Sequence, residues 1–461
     1  MDYTHLDKYV TQHLKESVYD LYRLAKIPSV SAKNEGQEEC AKLCADLLTA
    51  RGFTATVYPT GGAPIVYAER KGKSDRTLLV YNHYDVQPAE PLELWDTPPF
   101  EPTLVDGVLY GRGVNDDKGH FTYRLLALDA ILAEEGELPC TIKFLLEGEE
   151  ETSSAHLPGF VREHADLLRS DACIWEHGGV DEHENPLETL GLRGILYVEL
   201  SVETANQDIH SGLGGSIFEN AAWRLVWALA SLKGTDENVR IAGFYNKVKP
   251  LSARTRALLE TLPDPAPGYK ARYGMTEFLR NLKGGADLRR YEAHEPSCTI
   301  CGLTAGYQGP GSKTVLPAQA SAKVDFRLVP DQNPEEIVEL LRAHLDRNGF
   351  EDVKITVYGF GKPAVTDPDD PFVRVVTETA VEVYGKPMLI IPSSGGSGPN
   401  SVVMEVLDVP ILTAGAGHPD AQMHAPNENL RMDLYIKAAR HFVRIVETFS
   451  GADDRFEKPQ E

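Results

Sequence analysis

The chain has 461 residues, 42% of them apolar and 25% charged, which is enough for a substantial core and for two domains or one domain with an insertion. Lys and Arg total 46 against 69 Asp and Glu, a formal net charge of −23, which argues against non-specific binding to nucleic acid or to an anionic membrane. No basic segment followed by an apolar one opens the chain, and no apolar run is as long as a membrane span, so no signal peptide, no membrane partner and a cytoplasmic location are expected.

In chain order, residues 36–48 have helical spacing and close at Gly52, a residue suited to the left-handed position after a helix. Residues 76–82 form a buried strand pattern. Over 119–133, Phe121, Leu125, Leu128 and Leu132 fall on one helical face. Residues 140–146 and 171–175 are further short apolar runs. Such alternation predicts an α/β sheet with parallel strands. The pattern changes near Gly194: residues 195–204 alternate as a half-exposed strand, and a helix follows over about 219–232. A polar, irregular stretch then runs to about Pro296. Strand patterns at 298–304 and 320–329 precede a helix with Asn333 as N-cap, Pro334 in its first turn and Gly349 at its end. A strand at 353–358 closes the section. This β-α-β-β-α-β order predicts a small α+β domain of ferredoxin-like type. From about Asp367 the α/β pattern returns, with a helix at 371–384, a strand at 409–414 and a last helix after Arg431; the tail after Ser450 is polar and expected to fray. The division expected is 1–194 and 366–461 for one α/β domain, interrupted by 195–365.

Six cysteines (Cys40, Cys44, Cys140, Cys173, Cys298, Cys301) are sparse for this length. Cys298 and Cys301 have CxxC spacing, but no second pair completes a structural zinc site, so buried, reduced thiols are expected.

Three adjacent carboxylates, Glu149, Glu150 and Glu151, stand at the end of the apolar run 141–146. They repel one another, and a bound cation turns that repulsion into coordination; a solvated acidic turn is the alternative. His83, Glu151, Glu176 and His424 each follow a predicted strand, and loops at the carboxyl ends of parallel strands share one edge where ligands bind. Asp116 lies in a glycine-rich loop leading into a helix, near a positive helix end. Two His and three carboxylates from separate loops suit two divalent ions sharing a carboxylate, each with room left for water. Taken singly, each has a plainer reading: a backbone-bonded His, a helix cap at Asp116 or Asp117, a surface Glu176. Asp85, two residues past His83, is placed to accept the imidazole N–H and fix the ring.

Four ordered motifs then carry a resemblance: His83, Tyr84, Asp85, Val86, Gln87, Pro88; the loop Gly111, Arg112, Gly113 with Asp116, Asp117, Lys118, Gly119; Glu147 to Glu151; and His424, Ala425, Pro426, Asn427, Glu428. Across nearly the whole chain the sequence resembles the co-catalytic two-metal peptidases that include carnosinase, cytosolic non-specific dipeptidase, glutamate carboxypeptidase and aminoacylase. The resemblance implies a phosphorylase/hydrolase-like zinc-exopeptidase catalytic domain with a mixed, largely parallel sheet, interrupted by an α+β ferredoxin-like lid and dimerisation domain. It implies two divalent metal ions per subunit, Zn or Mn. Asp116 would bridge them, with His83 and Glu176 completing one site and Glu151 and His424 the other. Many relatives have Asp where Glu176 stands, so the longer arm departs from the pattern. Glu150 matches the family's general base, acting on a metal-bridged water. His210 matches a residue that donates to the oxyanion, often from a partner subunit, which implies a homodimer through the inserted domain. Arg327 matches a substrate-anchoring Arg, and Thr314 is similarly placed; an exposed turn His and a surface ion pair are the alternatives. The loop 393–399 lacks the Lys of a phosphate loop, which excludes nucleotide binding; its backbone at Gly396, with Ser397, is a candidate for the substrate's terminal carboxylate, and a plain flexible loop is the alternative. The activity implied is an exopeptidase cleaving dipeptides or short peptides; an N-acyl amino acid amidohydrolase is the nearest rival, and a non-catalytic binding protein a more distant one.

Overall fold

The structure is a computed structural model describing residues 2–452. The chain divides into two compact units, one of Met1–Leu190, Thr366–Ile391 and Val402–Glu461, the other of Gly191–Val365 and Pro392–Ser401. The expected boundaries shift by a few residues, and the loop assigned above to the last α/β segment goes with the inserted unit.

The first unit is built on a six-stranded sheet in the order Thr54–Tyr58, Ile65–Arg70, Thr141–Glu147, Thr77–His83, Ala172–Trp175, Ile411–Thr413. The first two strands run antiparallel to their neighbours, and the last four are mutually parallel. Thr141–Glu147 is buried at every residue, Lys143 included, which explains why its run is mostly apolar on both faces: both faces of the sheet are covered. Alternate residues serve different cores. Leu78, Val80, Ile142 and Phe144 join the large cluster on one face, and Leu79, Tyr81, Leu145 and Trp175 a smaller one on the other. The helix Lys118–Glu135 packs against Met432–Glu447, and its first turns are buried on all sides, so the single apolar face expected above understates its burial. Asp370 caps the helix Pro371–Tyr384 by accepting the Phe372 N–H.

The inserted unit carries a four-stranded antiparallel sheet in the order Ser297–Ala305, Gln319–Leu328, Gly194–Glu203, Lys354–Gly361. With the helices Ala221–Leu232 and Pro334–Arg347, this is the β-α-β-β-α-β order read from the sequence. The strand Gly194–Glu203 alternates buried and half-buried residues along its length, and the buried set faces the two helices. Asn220 and Asn333 cap those helices through their side-chain oxygens. The stretch expected to be irregular contains three short helices, Ala253–Thr261, Ala266–Tyr273 and Gly285–Ala293. Their few buried side chains (Leu258, Leu259, Ala266, Leu288, Ala293) are too sparse to give a periodic signal. Cys298 is buried but Cys301 is exposed, so the expectation of six buried thiols fails at Cys301, on the outer side of its strand. No helix among the described residues is long and apolar enough to cross a membrane. The expected fraying of the tail lies mostly outside the described residues.

Candidate metal centre

The four parallel strands end on one edge, and the candidate ligands gather there. His83 ends its strand; Glu150 and Glu151 open the 3-10 turn Glu150–Thr152 just past Thr141–Glu147. Glu176 directly follows Ala172–Trp175, and His424 lies between Ile411–Thr413 and Asn429–Arg431. Asp116 stands two residues before Lys118–Glu135, across a cis peptide to Asp117. Asp117 occupies the N-cap position but makes no side-chain cap bond.

Asp116 is the centre of the arrangement. Its Oδ1 is 3.0 Å from His83 Nε2 and its Oδ2 2.9 Å from His424 Nε2. His424 Nε2 lies 3.2 Å from Glu151 Oε2, and His83 Nε2 lies 3.8 Å from Glu176 Oε2. One carboxylate thus faces two imidazoles, each backed by a further carboxylate. The donor atoms of Asp116, Glu151 and His424 all lie within 4.8 Å of one another. The residues fit divalent cations on a second observation: Glu176 Oε2 is buried with no hydrogen-bond partner among the described residues, while Oε1 accepts the Trp175 indole N–H. A buried carboxylate oxygen left bare is costly unless a cation or proton serves it.

The electrostatics agree. Burial disfavours a charged His83, yet Asp116 and Asp85 hold its pKa well above the ordinary value. The Asp116 carboxylate, then Glu151, pushes His424 up to about 10. Burial works to raise Asp116, but the surrounding imidazoles of His177, His424 and His83 hold it well below the carboxylate range. Burial, then the Glu150 charge, lifts Glu176 well above it. The Glu150 carboxyl is raised chiefly by burial, with Glu151 and Asp116 adding to it; repulsion among neighbouring carboxylates is the smaller cause, contrary to the emphasis a run of glutamates suggests.

Several buried groups hold this constellation. Asp85 lies 3.3 Å from His83 Nδ1 through its carboxylate, but its backbone carbonyl is nearer, at 3.1 Å. The same carboxylate accepts the backbone N–H groups of Glu150 and Glu151 at 3.2 and 3.0 Å, so Asp85 ties the segment carrying His83 to the one carrying Glu150 and Glu151. Gln87 donates to Glu151 Oε2 at 2.8 Å. Asp117 is committed elsewhere: Oδ2 accepts from the Asn82 amide and the His83 N–H, and Oδ1 accepts from His120 Nδ1 at 2.7 Å. His120 Nε2 accepts the Ala416 N–H at 3.1 Å, so both its ring nitrogens are used. Sequence reasoning gave no role to Gln87, His120 or Glu428, weighed Asp117 only as a helix cap, and missed His177, which follows Glu176. An imidazole beside an acidic residue past a strand was the available signal.

In the inserted unit, Arg327 Nη1 donates to Ser397 Oγ at 3.0 Å and its Nε to Asp325 Oδ2 at 2.9 Å. Arg193 donates to the Gly395 carbonyl, and its backbone N–H to that of Gly396 at 2.9 Å. Arg327, Gly396 and Ser397 are therefore neighbours. His210 and Thr314 form a second pair: the Ser211 N–H donates to the Thr314 carbonyl at 3.1 Å, and the exposed His210 accepts the Gly212 N–H through Nδ1.

Comparison with known proteins follows the same lines. The sequence profile of Peptidase family M20/M25/M40 matches residues 79–448. An M20 family metallo-carboxypeptidase, Sso-CP2 from Sulfolobus solfataricus, is 35% identical, with 94% of this chain and 99% of that one covered and a TM-score of 0.88. Human carnosine dipeptidase 1 is 26% identical over 97% and 99% of the two chains, with a TM-score of 0.75. The Cys-Gly metallodipeptidase DUG1 of Saccharomyces cerevisiae is 28% identical over 86% of this chain and 84% of its own.

Proposed function

The chain belongs to Peptidase family M20/M25/M40, and on that premise we propose that it cleaves the amide bond of dipeptides or short peptides with two divalent cations, Zn²⁺ or Mn²⁺, held about Asp116. It is a metal-dependent exopeptidase. The observation that carries the finer reading is the division of Asp116 between His83 and His424. The imidazole and carboxylate donors suit either metal. Bound between His83, Asp116 and Glu176 on one side and Asp116, Glu151 and His424 on the other, such ions supply Lewis acidity, lowering the pKa of water and polarising the scissile carbonyl.

The protein's own groups do the rest. Glu150 accepts a proton from the attacking water and delivers it to the departing amine. Its burial raises the carboxyl above the ordinary carboxylate range, so it holds a proton more readily than an exposed glutamate. Asp85 fixes the His83 ring and the backbone of Glu150 and Glu151. Substrate binding is assigned to His210, Thr314, Arg327, Gly396 and Ser397; the planar Arg327 fork suits a carboxylate. A homodimer through the inserted unit is supported by Trp223 and Trp227, stacked 5.7 Å apart on one helix and each more than half exposed. A cytoplasmic location is supported by the six free cysteines.

The test is a panel of dipeptides and N-acetyl amino acids, assayed after adding Zn²⁺, Mn²⁺ or Co²⁺ back to chelated protein. Cleavage of dipeptides with N-acetyl amino acids left intact supports the proposal. The reverse preference identifies an amidohydrolase, and no turnover with any metal excludes both.

A further inference from the structure

His177 lies beside the ligands assigned above and is not among them. Its Nε2 is 3.8 Å from Asp116 Oδ1 and 3.8 Å from Glu176 Oε1. The donor atoms of His83, Asp116 and His177 lie within 4.8 Å of one another. Two ligands about 2.0–2.1 Å from one tetrahedral ion stand about 3.3 Å apart, so these spacings need only a small swing of a ring that is partly exposed. It is Nε2, and not the buried Nδ1, that faces these two carboxylates. The neighbouring His120 differs, since both its ring nitrogens are engaged.

The backbone is shaped to present this ring. His177 has φ 65, a left-handed conformation rare for a residue with a side chain. The turn is held by close packing of two glycine-bearing segments. The Gly417 N–H donates to the Gly178 carbonyl at 2.9 Å, and the Val180 N–H to the Gly417 carbonyl at 3.0 Å. A Cβ on Gly178 would come within 2.7 Å of the Gly415 nitrogen, and one on Gly179 within 2.0 Å of the Gly417 oxygen. Both segments need glycine to approach this closely, and the result fixes the position of His177.

Building on the two-cation reading, we propose that His177 is a fourth protein ligand of the ion held by His83, Asp116 and Glu176. The two ions are then unequal: one has four protein donors and would take water only as a fifth donor, while the other has three, from Asp116, Glu151 and His424, and would keep an open position. The four-donor ion binds more tightly and loads first.

The test is a titration of the metal-stripped full chain with Co²⁺, followed by visible absorption and calorimetry, in the wild type, His177→Asn and His177→Ala. Asn adopts positive φ readily, so the first variant preserves the turn; circular dichroism checks both folds. The expected wild type binds two Co²⁺ in two affinity classes. Both variants should weaken the tighter class by at least about tenfold, since losing even an outer partner of a ligand costs that much, and should change the absorption of the first equivalent. Two Co²⁺ bound by either folded variant with wild-type affinity and spectrum would overturn the assignment, even if turnover fell. A wild type that binds no Co²⁺ would instead reject the two-cation reading itself.

Discussion

Glu428 accepts the backbone N–H of Asp116 at 3.0 Å, so the position of the shared carboxylate depends on a buried glutamate far along the chain. The other acceptor positions of Glu428 are also filled, by the Asn115 and Gly113 N–H groups at 3.0 Å and by Arg112 Nη1 at 2.8 Å. Glu428→Ala leaves a buried guanidinium and three backbone donors without their acceptor. It should cost roughly 3–5 kcal/mol in urea unfolding and weaken metal binding by about 10–100-fold. Wild-type values for both would show that the loop holds itself.

Glu150→Gln keeps the shape of the side chain and removes its proton-accepting capacity. The variant should bind its cations as the wild type does and lose about 10²–10⁴ in kcat. Metal content by elemental analysis and dipeptide turnover check the two halves. Near-normal kcat in a metal-loaded variant would remove Glu150 from the proposed role.

Arg327→Lys retains the charge and loses the fork that reaches Ser397. If Arg327 anchors a substrate carboxylate, KM should rise by about 10–100-fold, the worth of a charge-assisted hydrogen bond, with a smaller effect on kcat. An unchanged KM would assign Arg327 to the Asp325 ion pair alone.

Mixing the inactive variants Glu150→Ala and His210→Ala tests whether subunits share catalytic groups. Activity should return after subunit exchange if His210 serves a partner chain. Persistent inactivity with exchange verified by mass would count against a shared site.

Glu188 offers a pH test apart from the metal centre. It is fully buried, and burial pushes its carboxyl well above the ordinary range although the Thr413 N–H and hydroxyl donate to it. The folded state therefore holds a proton that the unfolded chain releases near pH 4.3. This contribution to stability is complete below that pH and falls by about 1.4 kcal/mol per pH unit above it, until the folded carboxyl ionises. Glu188→Gln keeps an oxygen for Thr413 and removes the titration. Its stability relative to wild type should rise between pH 5 and pH 8 in denaturant melts; a constant difference would contradict the sign.

Much of this was legible because strand ends carry chemistry. His83, Glu151 and Glu176 each come just after a short, mostly apolar run, and parallel strands must put those ends on one edge. The inserted unit was legible from the alternation of residues in Gly194–Glu203 and the cap at Asn333. Long-range hydrogen bonding was not. Nothing local reveals that Glu428 holds the Asp116 loop or that Asp117 is saturated by Asn82 and His120. His177 depends on a positive φ fixed by packing against Gly415 and Gly417, which no periodicity reports. The short helices between 253 and 293 bury too little to leave an apolar pattern.

The central claim is that a pair of cations at Asp116 is required for peptide cleavage. Metal-stripped protein titrated with Zn²⁺ or Mn²⁺, with bound metal per chain and dipeptide turnover measured on the same samples, tests it most directly. Turnover should be absent in the stripped protein and rise to its full value as occupancy approaches two per chain. Full turnover by the stripped protein, or a maximum reached with one ion per chain, would contradict the account.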